Sequence, residues 1–113
     1  MNRANTHKSS GKRDKALEDY NRAIHLKPDY HLAYYNRGIL YKDMAQYDKS
    51  IEDDSKAIKL NPNFYKAYYI RGLLYSDLGE SDNALEDFNR VIHLKPDHQE
   101  SYWNRGNIYE GMG

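Results

Sequence analysis

The stretch YYNRGILY at residues 34–41 recurs as YYIRGLLY at residues 68–75 and as YWNRGNIY at residues 102–109, each copy 34 residues after the last. A repeat with a period between about 20 and 50 residues indicates a stack of small units, because one unit cannot bury its apolar face without neighbours. The chain is therefore predicted to be a solenoid in which each unit packs against the next.

A second pattern alternates with the first. It reads ALEDYNRAIHLKPD at residues 16–29, SIEDDSKAIKLNPN at residues 50–63 and ALEDFNRVIHLKPD at residues 84–97. Its apolar residues fall at helical intervals, and the second-to-last residue of each copy is a proline, which cannot continue a helix. In the opening motif, Tyr34, Gly38 and Tyr41 lie on one face of another helix, and the small central residue lets a neighbouring backbone approach closely. These patterns predict an all-α chain with helices near residues 14–27, 31–44, 47–60, 65–78, 81–94 and 98–111. Residues 1–11 align with the first helix of a later repeat, so they are also predicted to be helical and to form a weakened hairpin with residues 14–27.

The repeated positions carry a family resemblance. One unit contains the full set, namely Tyr68, Gly72, Tyr75, Ala84, Phe88 and Pro96. This 34-residue pattern resembles the tetratricopeptide repeat over nearly the whole chain. The unit that begins at His31 departs from it, with Ser50 where Ala is usual and Asp54 where an aromatic residue is usual.

The resemblance implies a right-handed superhelical solenoid of antiparallel helix-turn-helix repeats. Residues 1–113 would form one domain with a weakened first repeat at 1–30, complete repeats at 31–64 and 65–98, and the lone first helix of a further repeat at 99–113. A chain of 113 residues is the size of one domain. A longer repeat array of which this chain is one part would show the same lone final helix.

The resemblance also implies a non-catalytic module that binds a protein or peptide ligand. In this family the first helix of each repeat lines a concave groove that holds a peptide segment. The residues that fall on this face are Tyr35, Asn36, Ile39, Lys42, Lys66, Tyr69, Leu73, Trp103, Asn104 and Asn107. The alternative for Tyr35, Tyr69 and Trp103 is that their rings only pack between repeats.

A carboxylate-binding version of the groove is not expected. One subgroup of the family grips a C-terminal carboxylate with Lys and Asn side chains from three successive first helices. Asn5, Asn36 and Lys66 fall on three of its five places. Met1 and Ile70, however, stand where a lysine and an arginine would be required.

Charged residues recur with the same period. Arg37, Arg71 and Arg105 are in step with aspartates at 19, 53 and 87. The regular spacing predicts a ladder of ion pairs between adjacent helices, with an anion site as the alternative. Asp54 must either pair with Arg37 or Arg71 or reach water, because an unpaired buried carboxylate is costly.

The composition argues against several other functions. Seventeen basic and seventeen acidic residues balance, which argues against a nucleic-acid surface, and the chain contains no cysteine. No phosphate loop, HExxH motif or nucleophile elbow occurs. We therefore expect no enzymatic activity, no cofactor and no metal site. No run of 18 apolar residues is present, so we expect a soluble, cytoplasmic protein that does not bind a membrane.

A different class of function, self-assembly, is the alternative to peptide binding. Residues 1–11 align with residues 103–113 but lack their rings, since Thr6 and His7 stand in the places of Ile108 and Tyr109. The final helix could therefore dock onto residues 14–27 of a second copy and form head-to-tail or end-exchanged oligomers. Its predicted assembly surface consists of Tyr102, Trp103, Ile108 and Tyr109.

Overall fold

The computed structural model describes residues 3–112, with side chains from Gly11 onward. Six α-helices follow one another: α1 (Arg3–Leu26), α2 (His31–Asp43), α3 (Tyr47–Leu60), α4 (Tyr65–Asp77), α5 (Ser81–Leu94) and α6 (Gln99–Met112). Helices α2 and α3 form one antiparallel hairpin and α4 and α5 the next, and each helix contacts the following one along the chain. The all-helical repeat fold expected from the sequence is confirmed.

A left-handed residue closes each hairpin. Ala45 has φ 61° and Gly79 has φ 79°, so both occupy the conformation that ends many helices. The following amides, those of Gln46 and Glu80, donate to the carbonyls of Tyr41 and Tyr75 at 2.8 Å. Each turn therefore satisfies a helix carbonyl while it reverses the chain.

A tyrosine hydroxyl secures the connection between successive hairpins. Tyr34 donates to the carbonyl of Pro28 at 3.1 Å, and Tyr68 donates to that of Pro62 at 3.0 Å. Tyr102 makes the same bond to Pro96 at 3.0 Å. The opening tyrosine of each motif thus holds the turn that precedes its own helix.

The two hairpins differ at their centres. In α4–α5, a Cβ atom on Gly72 would lie 2.9 Å from the ring of Phe88, so only glycine leaves room for that ring. Phe88 also belongs to a core cluster with Ala84 and Ile108, which α6 supplies. In α2–α3, the hydroxyl of Ser50 donates to the carbonyl of Gly38 at 2.7 Å, so its buried oxygen is satisfied.

The beginning of the chain differs from the sequence expectation. Residues 1–11 and 14–27 were predicted to be two helices of a weakened hairpin, but α1 runs from Arg3 to Leu26 without a turn between them. Lys12 and Arg13 favour helix, and a side chain at Gly11 would meet nothing within 4 Å, so neither a strong breaker nor packing imposes a turn there. The described part of residues 1–30 is therefore one helix rather than a helical hairpin, and Met1 and Asn2 lie outside it.

Candidate peptide-binding groove

Rings from two successive repeats meet along the face shared by α2, α4 and α6. Tyr35 contacts Phe64 edge to face with ring centroids 4.9 Å apart, and Tyr69 contacts His98 in the same way at 4.7 Å. Both tyrosines are half-buried. Each of these rings therefore packs against the following repeat and exposes only part of its surface to a ligand.

Trp103 takes the matching position on α6 but is 72% exposed. Tyr69 is linked to α6 by a different route, because Asn104 donates to its hydroxyl at 3.4 Å and to the carbonyl of Glu100 at 2.8 Å. Burial raises the pKa of Tyr35, and the neighbouring carboxyl of Asp54 adds to that effect. Burial also raises the pKa of Tyr69, which the bond from Asn104 partly opposes.

The remaining predicted groove residues lie on the same helices but differ in exposure. The exposed ones are Asn36, Lys66 and Asn107, and those that are partly buried are Ile39, Lys42, Leu73 and Asn104. Leu73 packs on the core cluster of Phe88. The face is thus a mixed surface, with apolar side chains at its base and polar groups at its rim.

A polar hollow of about 350 Å³ lies at the α6 end of this face. Asn104 and Asn107 line it together with Ser76, which follows the groove positions of α4. Sequence reasoning named the two asparagines without predicting the hollow, because its walls come from three separate helices, α4, α5 and α6.

Sequence reasoning also missed the partners of the groove tyrosines. Tyr30, Phe64 and His98 recur with the 34-residue period, directly before or at the start of each first helix. An aromatic ring at this repeated position could have predicted contact with the preceding repeat. His98 has a second role, because its Nδ1 accepts a hydrogen bond from the backbone N–H of Ser101 at 3.3 Å.

The carboxylate-binding set is incomplete within the described residues. Asn36 and Lys66 are both exposed on the groove, but Ile70 is a half-buried apolar residue where a cation would be required. Met1 and the side chain of Asn5 lie outside the described part of the chain.

The predicted ion pairs are present in two repeats and are well shielded. Arg37 binds both oxygens of Asp53 at 2.7 and 2.8 Å, and Arg71 binds both oxygens of Asp87 at 2.8 Å. The side chain of Asp87 is only 1% exposed. A two-pronged pair in this setting is stronger than an exposed surface pair. Its location inside the hairpins makes it a structural feature rather than an anion site.

Each arginine also reaches back to the preceding repeat. Arg37 donates to Asn21 at 2.9 Å, Arg71 donates to Ser55 at 3.0 Å, and Arg105 donates to Asn89 at 2.8 Å. Arg37 and Arg71 therefore join three helices each, and their side chains help to set the stacking of one repeat on the next.

Asp54 finds neither arginine. It is fully buried, and neither carboxyl oxygen has a hydrogen-bond partner among the described residues. Burial raises the pKa of Asp54 to about 8, and the nearby carboxylates of Asp53 and Asp87 act in the same direction. Arg71 and Lys42 oppose this rise without cancelling it. The position held by the Phe88 ring in the next repeat thus holds a carboxyl group that is mostly neutral below about pH 8.

The predicted assembly surface is only partly exposed. Tyr102 is 42% exposed and Tyr109 is 53% exposed, and both lie on α6 with Trp103. Ile108 was expected on this surface but is buried against Ala84 and Phe88. It faces inward because its side chain fills the space between α5 and α6.

Repeated antiparallel helix pairs, stacked so that their first helices share one face, define a helical-repeat protein of the solenoid class. Sequence profiles give the same result: "TPR repeat" matches residues 4–44, and "Tetratricopeptide repeat" matches residues 31–64 and again 65–98. The chain belongs to the tetratricopeptide repeat family, which is generally a non-catalytic, protein-interaction fold. No curated protein matches the chain.

Several solved structures are similar to this one. The first tetratricopeptide repeat domain of Spaghetti (RPAP3), bound to the HSP90 peptide SRMEEVD, has a TM-score of 0.85 at 26% identity over 96% of this chain and 86% of that one. The MamA protein also has a TM-score of 0.85, at 31% identity over 96% of this chain and 60% of that one. The Arabidopsis OM64 tetratricopeptide repeat domain has a TM-score of 0.83 at 23% identity over 94% and 88% of the two chains.

Among residues 3–112, no helix is both long enough and apolar enough to cross a bilayer.

Proposed function

We propose that this chain is a protein-interaction module that holds a peptide segment along the face shared by α2, α4 and α6. The observation that carries the proposal is the common location of Asn36, Lys66 and Asn107, which are exposed at the rim of three helices stacked in one orientation. An asparagine amide can both donate to and accept from a peptide backbone, so such a row suits an extended ligand.

The charges along this face favour a particular ligand orientation. Lys42 and Lys66 lie on α2 and α4, whereas Glu100 and Glu110 lie on α6. An acidic segment is attracted to the two lysines and repelled by the two glutamates, so its acidic residues bind nearer α2 and α4. The likeness to a domain that is bound to the acidic peptide SRMEEVD is consistent with this choice.

The apolar base of the face offers contacts for apolar side chains of the ligand. Ile39 and Leu73 are partly buried and lie on neighbouring helices, while Tyr35 and Tyr69 expose part of their rings. An apolar ligand side chain placed over them gains contact area without displacing the packing between repeats. The bound segment is therefore acidic with interspersed apolar residues, and an internal segment serves as well as a chain terminus because the carboxylate-binding set is incomplete.

Selection of peptides from a displayed random library, followed by titration calorimetry, tests this function. We expect Lys66→Ala to weaken the selected acidic peptides about tenfold, which corresponds to about 1.4 kcal/mol. Lys59→Ala is the matched control, because Lys59 is also an exposed lysine but lies on α3, outside the groove.

A second comparison tests the ligand terminus. Amidation of the peptide C-terminus should leave affinity unchanged if the free carboxylate is not gripped. Equal losses for the two lysine variants, or no selected peptide at all, would contradict the groove as the binding site.

A further inference from the structure

One face of α1 lacks the cover that the matching faces of α3 and α5 have. The fully covered positions in α5 are Ala84, Asp87, Phe88 and Val91. Their counterparts in α1 are half-buried or exposed, namely Ala16, Asp19, Tyr20 and Ala23. In α3 and α5 this face is covered by the first helix of the same hairpin, so α1 presents a hairpin surface without that helix.

Helix α6 has an uncovered face too, but it is the face that a first helix turns toward the second helix of its hairpin. Tyr102, Gly106 and Tyr109 match the three residues by which α4 packs on α5, but both tyrosines of α6 are exposed. A Cβ atom on Gly106 would meet nothing within 4 Å, whereas one on Gly72 would touch Phe88. Helix α6 therefore presents the other half of a hairpin surface.

We propose that α6 of one copy docks against α1 of a second copy and completes a hairpin across two chains. The two hairpins within the chain supply the template, since the same residue types recur 34 residues apart. This assembly uses the hairpin faces of α1 and α6, and it shares Trp103 with the proposed peptide groove.

An ion pair marks the register of the contact. Arg37 and Arg71 each bind the aspartate sixteen residues later. In the proposed contact, α1 of the second copy takes the place of a second helix after α6. Its Asp19 then lies where an aspartate sixteen residues after Arg105 would lie. Asp19 is exposed and has no ion pair within the described residues, and Arg105 has its side-chain bond to Asn89. The charges at the two surfaces are therefore complementary and available.

Two aromatic contacts follow from the same register. Tyr20 of the second copy faces Gly106, as Phe88 faces Gly72 within the chain. Tyr30 of the second copy meets Trp103, as Phe64 meets Tyr35 and His98 meets Tyr69. Trp103 and Tyr30 are 72% and 39% exposed in the single chain, so both rings are accessible for this contact.

The straight course of α1 leaves room for the incoming helix. Residues 3–13 continue the axis of α1 and do not fold back beside residues 14–26. Among residues 3–112, no helix of the same chain therefore occupies beside α1 the space that α2 occupies beside α3. Since each copy has one surface of each kind, the contact is heterologous and produces an open chain of molecules or a closed ring.

Charge reversal tests the proposal directly, without any peptide ligand. Sedimentation and light scattering should show that the mass of the wild type rises with concentration. Arg105→Asp alone and Asp19→Arg alone should each remain monomeric, because each places like charges in the contact. An equimolar mixture of the two variants should associate again, since both of its possible contacts carry opposite charges.

Gly106→Leu provides a second variant, which adds bulk at a position with open space in the single chain. It should keep the helical circular dichroism of the wild type and lose association at least about tenfold. The single tryptophan, Trp103, reports the contact independently through a blue shift of its fluorescence on association. A wild type that stays monomeric up to millimolar concentration would overturn the proposal. Association that ignores the charge changes, or a mixture that fails to recover, would also overturn it.

Discussion

At the scale of single residues, Asp54 sets the two hairpins apart. It occupies the place of the Phe88 ring, and a Cβ atom on Gly38 would lie 3.0 Å from its Oδ1 atom. A buried carboxyl without hydrogen-bond partners is destabilising, most of all when it is ionised. The α2–α3 hairpin therefore has a polar defect where the next hairpin has its largest buried ring.

Replacing this carboxyl should change how stability depends on pH. The pKa of Asp54 is raised from 3.8 to about 8 in the folded chain. The contribution of its protonated form to the free energy of unfolding is therefore fully present below pH 3.8 and is lost as pH rises through about 8. Asp54→Asn cannot ionise, and we expect its free energy of unfolding to gain on the wild type by up to about 1.4 kcal/mol per pH unit within that window. Urea denaturation of both proteins at several pH values measures this difference.

Asp54→Leu is the companion variant, because it removes the ionisable group without supplying an amide. It should show the same pH-dependent gain as Asp54→Asn over the wild type. A constant difference at every pH would mean that Asp54 titrates normally in the folded chain.

At the scale of helices and their connections, the sequence predicted the five helices α2–α6 to within one residue at each end. The prolines at 62 and 96 stop helices because they cannot continue the hydrogen-bonding pattern, and the tyrosine–glycine–tyrosine face fixes the helices that follow. At the start of the chain, both segments are helical as predicted, but the expected turn between them is not present in α1, since a single weak breaker at Gly11 does not decide between a turn and a continuous helix.

The groove shows a similar limit. Periodicity placed Tyr35 and Tyr69 on the groove helices, but it could not tell how far Phe64 and His98 would cover them. Coverage depends on the angle between successive repeats, which is set by contacts among residues far apart in the sequence. The sequence also could not decide whether Asp54 has an ion-pair partner, since this depends on contacts between helices. In the structure both candidate arginines bind other aspartates.

The two-pronged ion pair should contribute measurably to the α4–α5 hairpin. Arg71→Lys keeps the positive charge but loses the planar fork that binds both oxygens of Asp87. We expect a loss of about 1.5–3 kcal/mol in the free energy of unfolding, measured by urea denaturation at a concentration where the protein is monomeric.

Arg105→Lys is the matched control for this variant, because Arg105 has its side-chain bond to a neutral amide. Its loss should stay below about 1 kcal/mol. Similar losses for the two variants would show that the fork adds nothing beyond charge.

At the scale of the whole molecule, packing is uneven along the stack. The buried ring of Phe88 joins α4, α5 and α6, whereas the corresponding centre of α2–α3 contains Asp54. In repeat proteins each unit contacts only its neighbours, so local stability follows local packing.

We therefore expect amide hydrogen exchange to be slowest in α4 and α5 and faster in α2 and α3. Exchange should be fastest in the N-terminal part of α1, because α1 has 24 residues whereas α2, the helix packed against it, has 13. Mass spectrometry of exchanged peptides measures this order. Equal protection of the two hairpins would show that the chain opens as one cooperative unit.

The tyrosine-to-proline hydrogen bonds have a mechanical consequence. Each bond joins the start of a first helix to the turn behind it, and three such bonds follow one another at the same spacing. These bonds restrict motion of the turns that connect successive hairpins. A ligand that changes the angle between successive hairpins must therefore strain or break these bonds, so we expect them to oppose such bending.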